Sequence, residues 1–198
     1  MEKFTELKFN IGELKGISAK NIEEHLKLYA GYVKNANLIG EKLGEMWTDG
    51  PEKHQYEASE IVRRFSFEYN GMRNHEIYFS SLSGGATPLS DGPLKKKIEE
   101  TQGSFETWFT VFNMLAMTRG VGWAVMWYDK KANRLLNTWV DEQHLGQLSG
   151  CTPILALDMW EHAYVYDYPT SEKKKYVEAF FENLNWSVIE ENFKKATS

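Results

Sequence analysis

The segment Ile154-Leu155-Ala156-Leu157-Asp158-Met159-Trp160-Glu161-His162-Ala163-Tyr164 sets how the rest of the chain is read. Residues 154–158 form a short apolar run, the pattern of a buried strand, and a carboxylate closes it. His162 follows four residues later. A strand end and the turn after it can therefore aim Asp158 and His162 at one spot. The D-x-x-x-H spacing alone is weak, since chance supplies it often, so its surroundings decide its meaning.

Upstream, residues 122–128 and 135–140 are rich enough in aromatic and β-branched side chains to be strands. The polar residues 129–133 between them make a turn. With 154–158 this predicts a small, three-stranded antiparallel sheet. Flanking helices are expected at 94–101, at 104–119 behind the cap Ser104, and at 171–184 and 185–195. Phe105, Trp108, Phe112 and Leu115 form the apolar stripe of the second. Before them, Gly84-Gly85-Ala86-Thr87-Pro88, continuing to Gly92-Pro93, is the best linker in the chain.

Ahead of that linker, Ser18 is a helix cap followed by Ile22, Tyr29, Tyr32, Ala36 and Ile39 at spacings of three, four and seven. A second helix is expected over 56–82, with Ile61, Phe65, Met72, Phe79 and Leu82 on its stripe. The Gly/Pro/Asp stretch at 48–51 makes the two an antiparallel hairpin. The expected architecture is α+β: a long helical hairpin domain at residues 1–87, then an α/β domain at 88–198 whose small sheet is flanked by helices.

The 198 residues carry 28 acidic and 23 basic side chains, a net charge of −5. That balance argues against a nucleic-acid partner, which needs a basic face. Seven Trp, ten Tyr and eleven Phe speak for a dense core and against disorder. Cys151 is the only cysteine, so no disulfide framework or cysteine-rich metal site exists; a buried structural thiol is its expected role. No apolar run reaches membrane-spanning length, and Met1-Glu2-Lys3-Phe4 lacks the layout of a signal peptide. The expected location is cytoplasmic, with no membrane partner.

Five histidines are present: His25, His54, His75, His144 and His162. His25 and His75 fall on the apolar stripes of the hairpin. A lone histidine there is ordinarily a satisfied core residue. Two on neighbouring helices, with a third near a carboxylate, need a shared partner if all are buried, and a metal ion provides one.

The heptad from Asp158 to Tyr164 resembles the D-x-W-E-H-A-Y signature of iron/manganese superoxide dismutases. The resemblance extends in order along nearly the whole chain. It includes Ile17-Ser18-Ala19 to His25, Tyr32-Val33, Asn74-His75 and Leu82, Gly120-Val121-Gly122-Trp123-Ala124, and Asn185-Trp186. It implies a dismutase acting on superoxide with one Mn or Fe ion per chain, held by His25, His75, Asp158 and His162. It also implies that Tyr32 guards the substrate channel, and that Asn74, Phe79, Trp123, Trp160 and Tyr164 surround the ligands. The bland alternatives are a core tyrosine and ordinary aromatic packing.

The family's glutamine that holds metal-bound solvent has two possible origins. Gly71 stands four residues before His75, which points to Gln143, with His144 the alternative, and toward manganese or a metal-tolerant site. Glu161 matches a glutamate that reaches a partner's ligand histidine, implying a homodimer or a homotetramer; a solvated helix glutamate is the plainer reading. Lys27-Leu28-Tyr29 and Val165 depart from the family pattern, and the interval from His25 to Tyr32 is one residue short, as a helix without a bulge would be. Steering of an anionic substrate would fall to local cations. Lys27 and Arg73 sit near ligand positions in sequence, and Lys173-Lys174-Lys175 lies where the family often has an arginine, with solvated surface cations as the alternative. Two rival functions are a non-haem iron oxygenase and a non-catalytic metal-binding relative.

Overall fold

The computed structural model describes residues 2–198; Met1, the first residue of the opening Met1–Phe4, lies outside them. Ser18 Oγ accepts a hydrogen bond from Asn21 N and starts α1, Ala19–Asp49. The helix ends at Gly50, whose φ of 125° is open to glycine. A 3₁₀ turn at Pro51–His54 then leads into α2, Gln55–Leu82. The two long helices pack along their stripes, burying Ile22, His25, Tyr29 and Val33 against Met72, His75 and Phe79. The helical assignment of α1 is unbroken across Lys27–Tyr32, with no bulge.

Beyond the linker, α3 (Pro93–Gln102) and α4 (Phe105–Ala116) precede the sheet. Ser104 Oγ caps α4 by accepting from Thr107 N at 3.0 Å. This helix stops three residues short of the expected Arg119, because the chain turns into the sheet through Gly120 at φ 136°. The strands are β1 (Gly122–Asp129), β2 (Arg134–Asp141) and β3 (Cys151–Asp158), in the order β2-β1-β3 and antiparallel throughout. β3 starts three residues before the apolar run. Its edge position and the register shift opposite Met126/Trp127 accommodate Pro153, which has no N–H to give.

β1 is central and buried along nearly its whole length. Its partner pairing sets Trp123 opposite Asp158, which fixes where the end of β3 lies. After β3 come a 3₁₀ turn at Glu161–Ala163 and another at Thr170–Glu172, then α5 (Lys173–Glu182) and α6 (Trp186–Thr197). The second turn takes up the start of the helix expected from residue 171. Asn185 ties the C-terminal helices to the linker: its Nδ2 donates to Ser83 O and its Oδ1 accepts from Thr87 Oγ1. One apolar core runs from the hairpin through the sheet to α6. No helix among the described residues is long and apolar enough to cross a membrane.

Candidate metal centre

Two ligand candidates come from each half of the chain. His25 and His75 point inward from the facing stripes of α1 and α2, and both are fully buried. Asp158 is the last residue of β3, and His162 sits in the 3₁₀ turn that follows. One donor atom from each of these four residues lies within 4.8 Å of the other three, an arrangement that can hold a metal ion.

Asp158 is the hub. Its Oδ1 accepts from Trp160 N at 2.8 Å, which fixes the carboxylate plane. Its Oδ2 faces His25 Nε2 and His162 Nε2, each at 3.1 Å, and His75 Nε2 at 3.5 Å. Burial alone would push this carboxyl up. The charge and hydrogen bond of His162 and the contact with His25 outweigh it and hold Asp158 well below the usual carboxylate range.

The histidines carry the test of whether a cation fits. His75 Nδ1 lies 2.6 Å from Gly71 O and donates to it, so its Nε2 carries the lone pair. Burial, with the neighbouring His25, pushes the His75 pKa down to about 3, so the ring is neutral. His75 Nε2 is then a buried acceptor with no hydrogen-bond partner among the described residues, facing a carboxylate oxygen that is also an acceptor. Burial likewise pushes His25 down. Two facing lone pairs in a dry site are unfavourable for one another and favourable for a cation between them. Imidazole with carboxylate suits Mn and Fe. His25 differs: its Nε2 lies 3.1 Å from Asp158 Oδ2, where only an N–H can donate, and its Nδ1 is buried without a partner among the described residues.

Around the cluster, Gln143 is fully buried and bridges two other candidates. Trp123 Nε1 donates to its Oε1 at 2.8 Å, and its Nε2 donates to Tyr32 Oη at 2.9 Å. Asn74 Nδ2 donates to the Gln143 backbone carbonyl and holds that loop on α2. His144 packs its ring against Phe67, lies 4.0 Å from a Glu142 carboxylate oxygen, and makes no hydrogen bond to Tyr32. Gly71 is required at its position: a Cβ there would lie 2.5 Å from Tyr32 Cδ1. Burial raises the Tyr32 pKa well above that of an ordinary tyrosine, with Asp158 adding to the effect.

Trp160 donates through Nε1 to Glu142 O and stacks on His162, with ring centroids 5.7 Å apart. Phe79 meets His25 edge-on at 4.8 Å, and Trp123 meets His75 at 5.0 Å. Tyr164 is buried against Tyr176, one layer further out. Glu161 is exposed and makes no ion pair among the described residues. Tyr29, which marks a departure from the family pattern, is buried; its hydroxyl accepts from Leu7 N and donates to Glu76 Oε1.

Sequence reasoning missed Phe67, a half-buried ring beside Tyr32 and Trp160, and Arg64, which lies over it. Phe67 lies against Tyr32, His144 and Trp160, and the Arg64 guanidinium carbon sits 3.6 Å over the Phe67 ring. The i, i+3 spacing of Arg64 and Phe67 on a helix was the available signal. By contrast, the basic residues singled out in sequence are engaged elsewhere. Lys27 pairs with Glu23 and Glu24, Arg73 with Glu76, Lys174 with Glu178 and Lys175 with Glu172, while Lys173 donates to Thr118 O.

A helical hairpin and a three-stranded α/β domain that close on three imidazoles and one carboxylate define a protein with a candidate site for a single metal ion. Residues 90–192 match the family described as iron/manganese superoxide dismutases, C-terminal domain. The chain is 36% identical over 187 residues to an iron superoxide dismutase of Aquifex pyrophilus, covering 92% of this chain and 87% of that protein. It is 40% identical over 174 residues to a manganese superoxide dismutase of Haloarcula marismortui, covering 86% and 81% respectively. A manganese/iron superoxide dismutase of Aeropyrum pernix is 33% identical over 182 residues, 87% of this chain and 80% of that one. The chain belongs to the iron/manganese superoxide dismutase family.

Proposed function

We propose that the protein disproportionates superoxide to oxygen and hydrogen peroxide at one Mn or Fe ion per chain, held by His25, His75, Asp158 and His162. The observation that carries this is the convergence of three imidazoles, two of them fully buried, on a buried carboxylate that pairs with no lysine or arginine among the described residues. A bound Mn or Fe ion would supply one-electron chemistry through its +2 and +3 states. Zinc has no such pair of states.

The chain's own groups manage charge and protons. Reduction to peroxide consumes two protons, and Tyr32 is suited to hand one over. Because Trp123 fixes the Gln143 oxygen, the Gln143 amide nitrogen is the end that donates to Tyr32. The Tyr32 hydroxyl therefore keeps its own proton to give, and its raised pKa keeps it protonated. Gln143, rather than His144, is the residue we assign to holding solvent above the ion. Asn74, Phe79, Trp123, Trp160 and Tyr164 keep the ligands rigid and dry.

The assignment extends to a cytoplasmic homodimer, with a pair of dimers as a larger assembly. Support comes from Glu161, exposed and unpaired beside His162, and from Leu28 and Val165, apolar side chains that are 41% and 50% exposed. Sedimentation of wild type and Glu161→Ala tests it: a wild-type monomer ends this part. The division at residue 87 then separates two halves that contribute two ligands each. An oxygenase is less well supported, because a third imidazole fills a position that a two-histidine facial site leaves open.

The test is catalysed superoxide decay per bound metal, on protein loaded separately with Mn and with Fe. Fast decay with either supports the function. A filled site with no decay from either metal leaves the non-catalytic reading.

A further inference from the structure

We infer that Arg64, seated on Phe67 and anchored by the buried Glu68, captures the anionic substrate at the opening of the metal site. The inference rests on the superoxide function proposed above.

The opening can be located from burial. His25, His75, Asp158 and Gln143 are fully buried, whereas Tyr32, Phe67, His144, Trp160 and His162 are only partly so. Those five ring the accessible side of the cluster. Phe67 is their common neighbour, touching Tyr32, His144 and Trp160, and Tyr32 and Trp160 each touch a ligand ring in turn. A cation on Phe67 therefore stands one ring back from the approach to the ion.

Arg64 is held there by two contacts of different kinds. Its guanidinium carbon Cζ sits 3.6 Å from the Phe67 ring centroid, a cation–π contact. Its Nε donates to Glu68 Oε1 at 2.9 Å, and Glu68 is itself buried, its other oxygen accepting from Asn35 Nδ2. Only Nε is engaged. The Nη groups have no partner among the described residues, and the side chain remains 55% exposed. Glu68 sits inward and the guanidinium outward, so the pair presents its positive end to solvent.

A device of this kind is needed because the chain is net negative. Long-range steering is screened over about 8 Å at physiological salt, so a cation close to the opening counts most. Glu68 makes the placement durable: an unanchored arginine would sample many rotamers and dilute its field.

The test uses Mn-loaded wild type, Arg64→Gln, Arg64→Lys and the Arg64→Gln/Glu68→Gln double variant. Two readouts are followed: kcat/KM for superoxide against ionic strength, and the Kd of azide by optical titration of the bound metal. Expected at low salt is a fall of about three- to tenfold in kcat/KM for Arg64→Gln, with azide binding weakened in parallel. The gap should close at about 1 M salt, and Arg64→Lys should recover most of it. The double variant should stay slow. Wild-type kinetics in the double variant would mean that Arg64 only neutralises Glu68, and the inference fails. A loss independent of salt, with azide affinity unchanged, would mark a purely structural role and also overturns it. An inert wild type sinks the superoxide function instead, while the azide titration still decides whether Arg64 draws anions to the ion.

Discussion

His25 and His75 stand on helices of 31 and 28 residues and are fully buried, whereas Asp158 and His162 come from a strand end and a three-residue turn, and His162 keeps 21% of its side chain exposed. The hairpin half offers neutral donors whose positions follow from helix packing. The sheet half offers the charge and the accessible edge. Their meeting point depends on register: β1 sets Trp123 opposite Asp158, and the Trp123 indole then fixes Gln143. A site built this way is rigid where it must be dry and open only on the side of Tyr32, Phe67 and Trp160.

The largest effect is expected from removing the charge. Asp158→Ala should reduce bound metal, measured by elemental analysis, from about one ion per chain to near zero. Full metal content in that variant would show that the carboxylate is not a ligand. His162→Ala, at the more exposed edge, should lose less metal than His75→Ala.

Metal removal exposes the second contrast. In the metal-free protein, His75 stays neutral down to about pH 3, while the unfolded chain protonates it near 6.5. The unfolded state then binds more protons between these values, so stability falls as pH falls through that window. The slope reaches about 1.4 kcal/mol per pH unit for each such histidine. Asp158 acts in the same direction but only below its unfolded value of 3.8. Urea midpoints from pH 7 to 4 should decline steeply, and less steeply in His75→Leu. A flat profile would mean that the hairpin histidines are not held neutral.

Gly71→Ala should cost about 1–3 kcal/mol by overpacking, because the new methyl collides with the Tyr32 ring and displaces it from Gln143. Denaturant unfolding of the metal-loaded protein measures the cost, and turnover should drop with it. The smallest change is expected from Tyr32→Phe. Metal content and stability should stay near wild type, while the late phase of superoxide decay at high substrate changes. Unaltered decay at every superoxide concentration would remove Tyr32 from proton delivery.

Much of this was legible in the sequence. Ser18 and Ser104 announced their helices, the stripe positions of His25 and His75 predicted their inward aim, and the Asp158–Tyr164 heptad pointed to the chemistry. Periodicity could not show that β3 begins at Cys151, because Pro153 reads as a strand breaker and is tolerated only at an edge opposite a register shift. Nor could it choose between Gln143 and His144. That choice rests on contacts with Trp123 and Tyr32, 20 and 111 residues away in sequence. Arg64 was hidden for a related reason: surface cations are common, and only the Phe67 ring beneath it distinguishes it from Lys27 or Arg73.

The most direct measurement is a titration of the metal-free protein with Mn or Fe, following thermal unfolding of the whole chain. If His25 and His75 from the hairpin and Asp158 and His162 from the sheet half share one ion, a single cooperative transition should rise in Tm and saturate at one equivalent per chain. Saturation at a different stoichiometry, or stabilisation of one half with the other melting as before, would contradict a shared site.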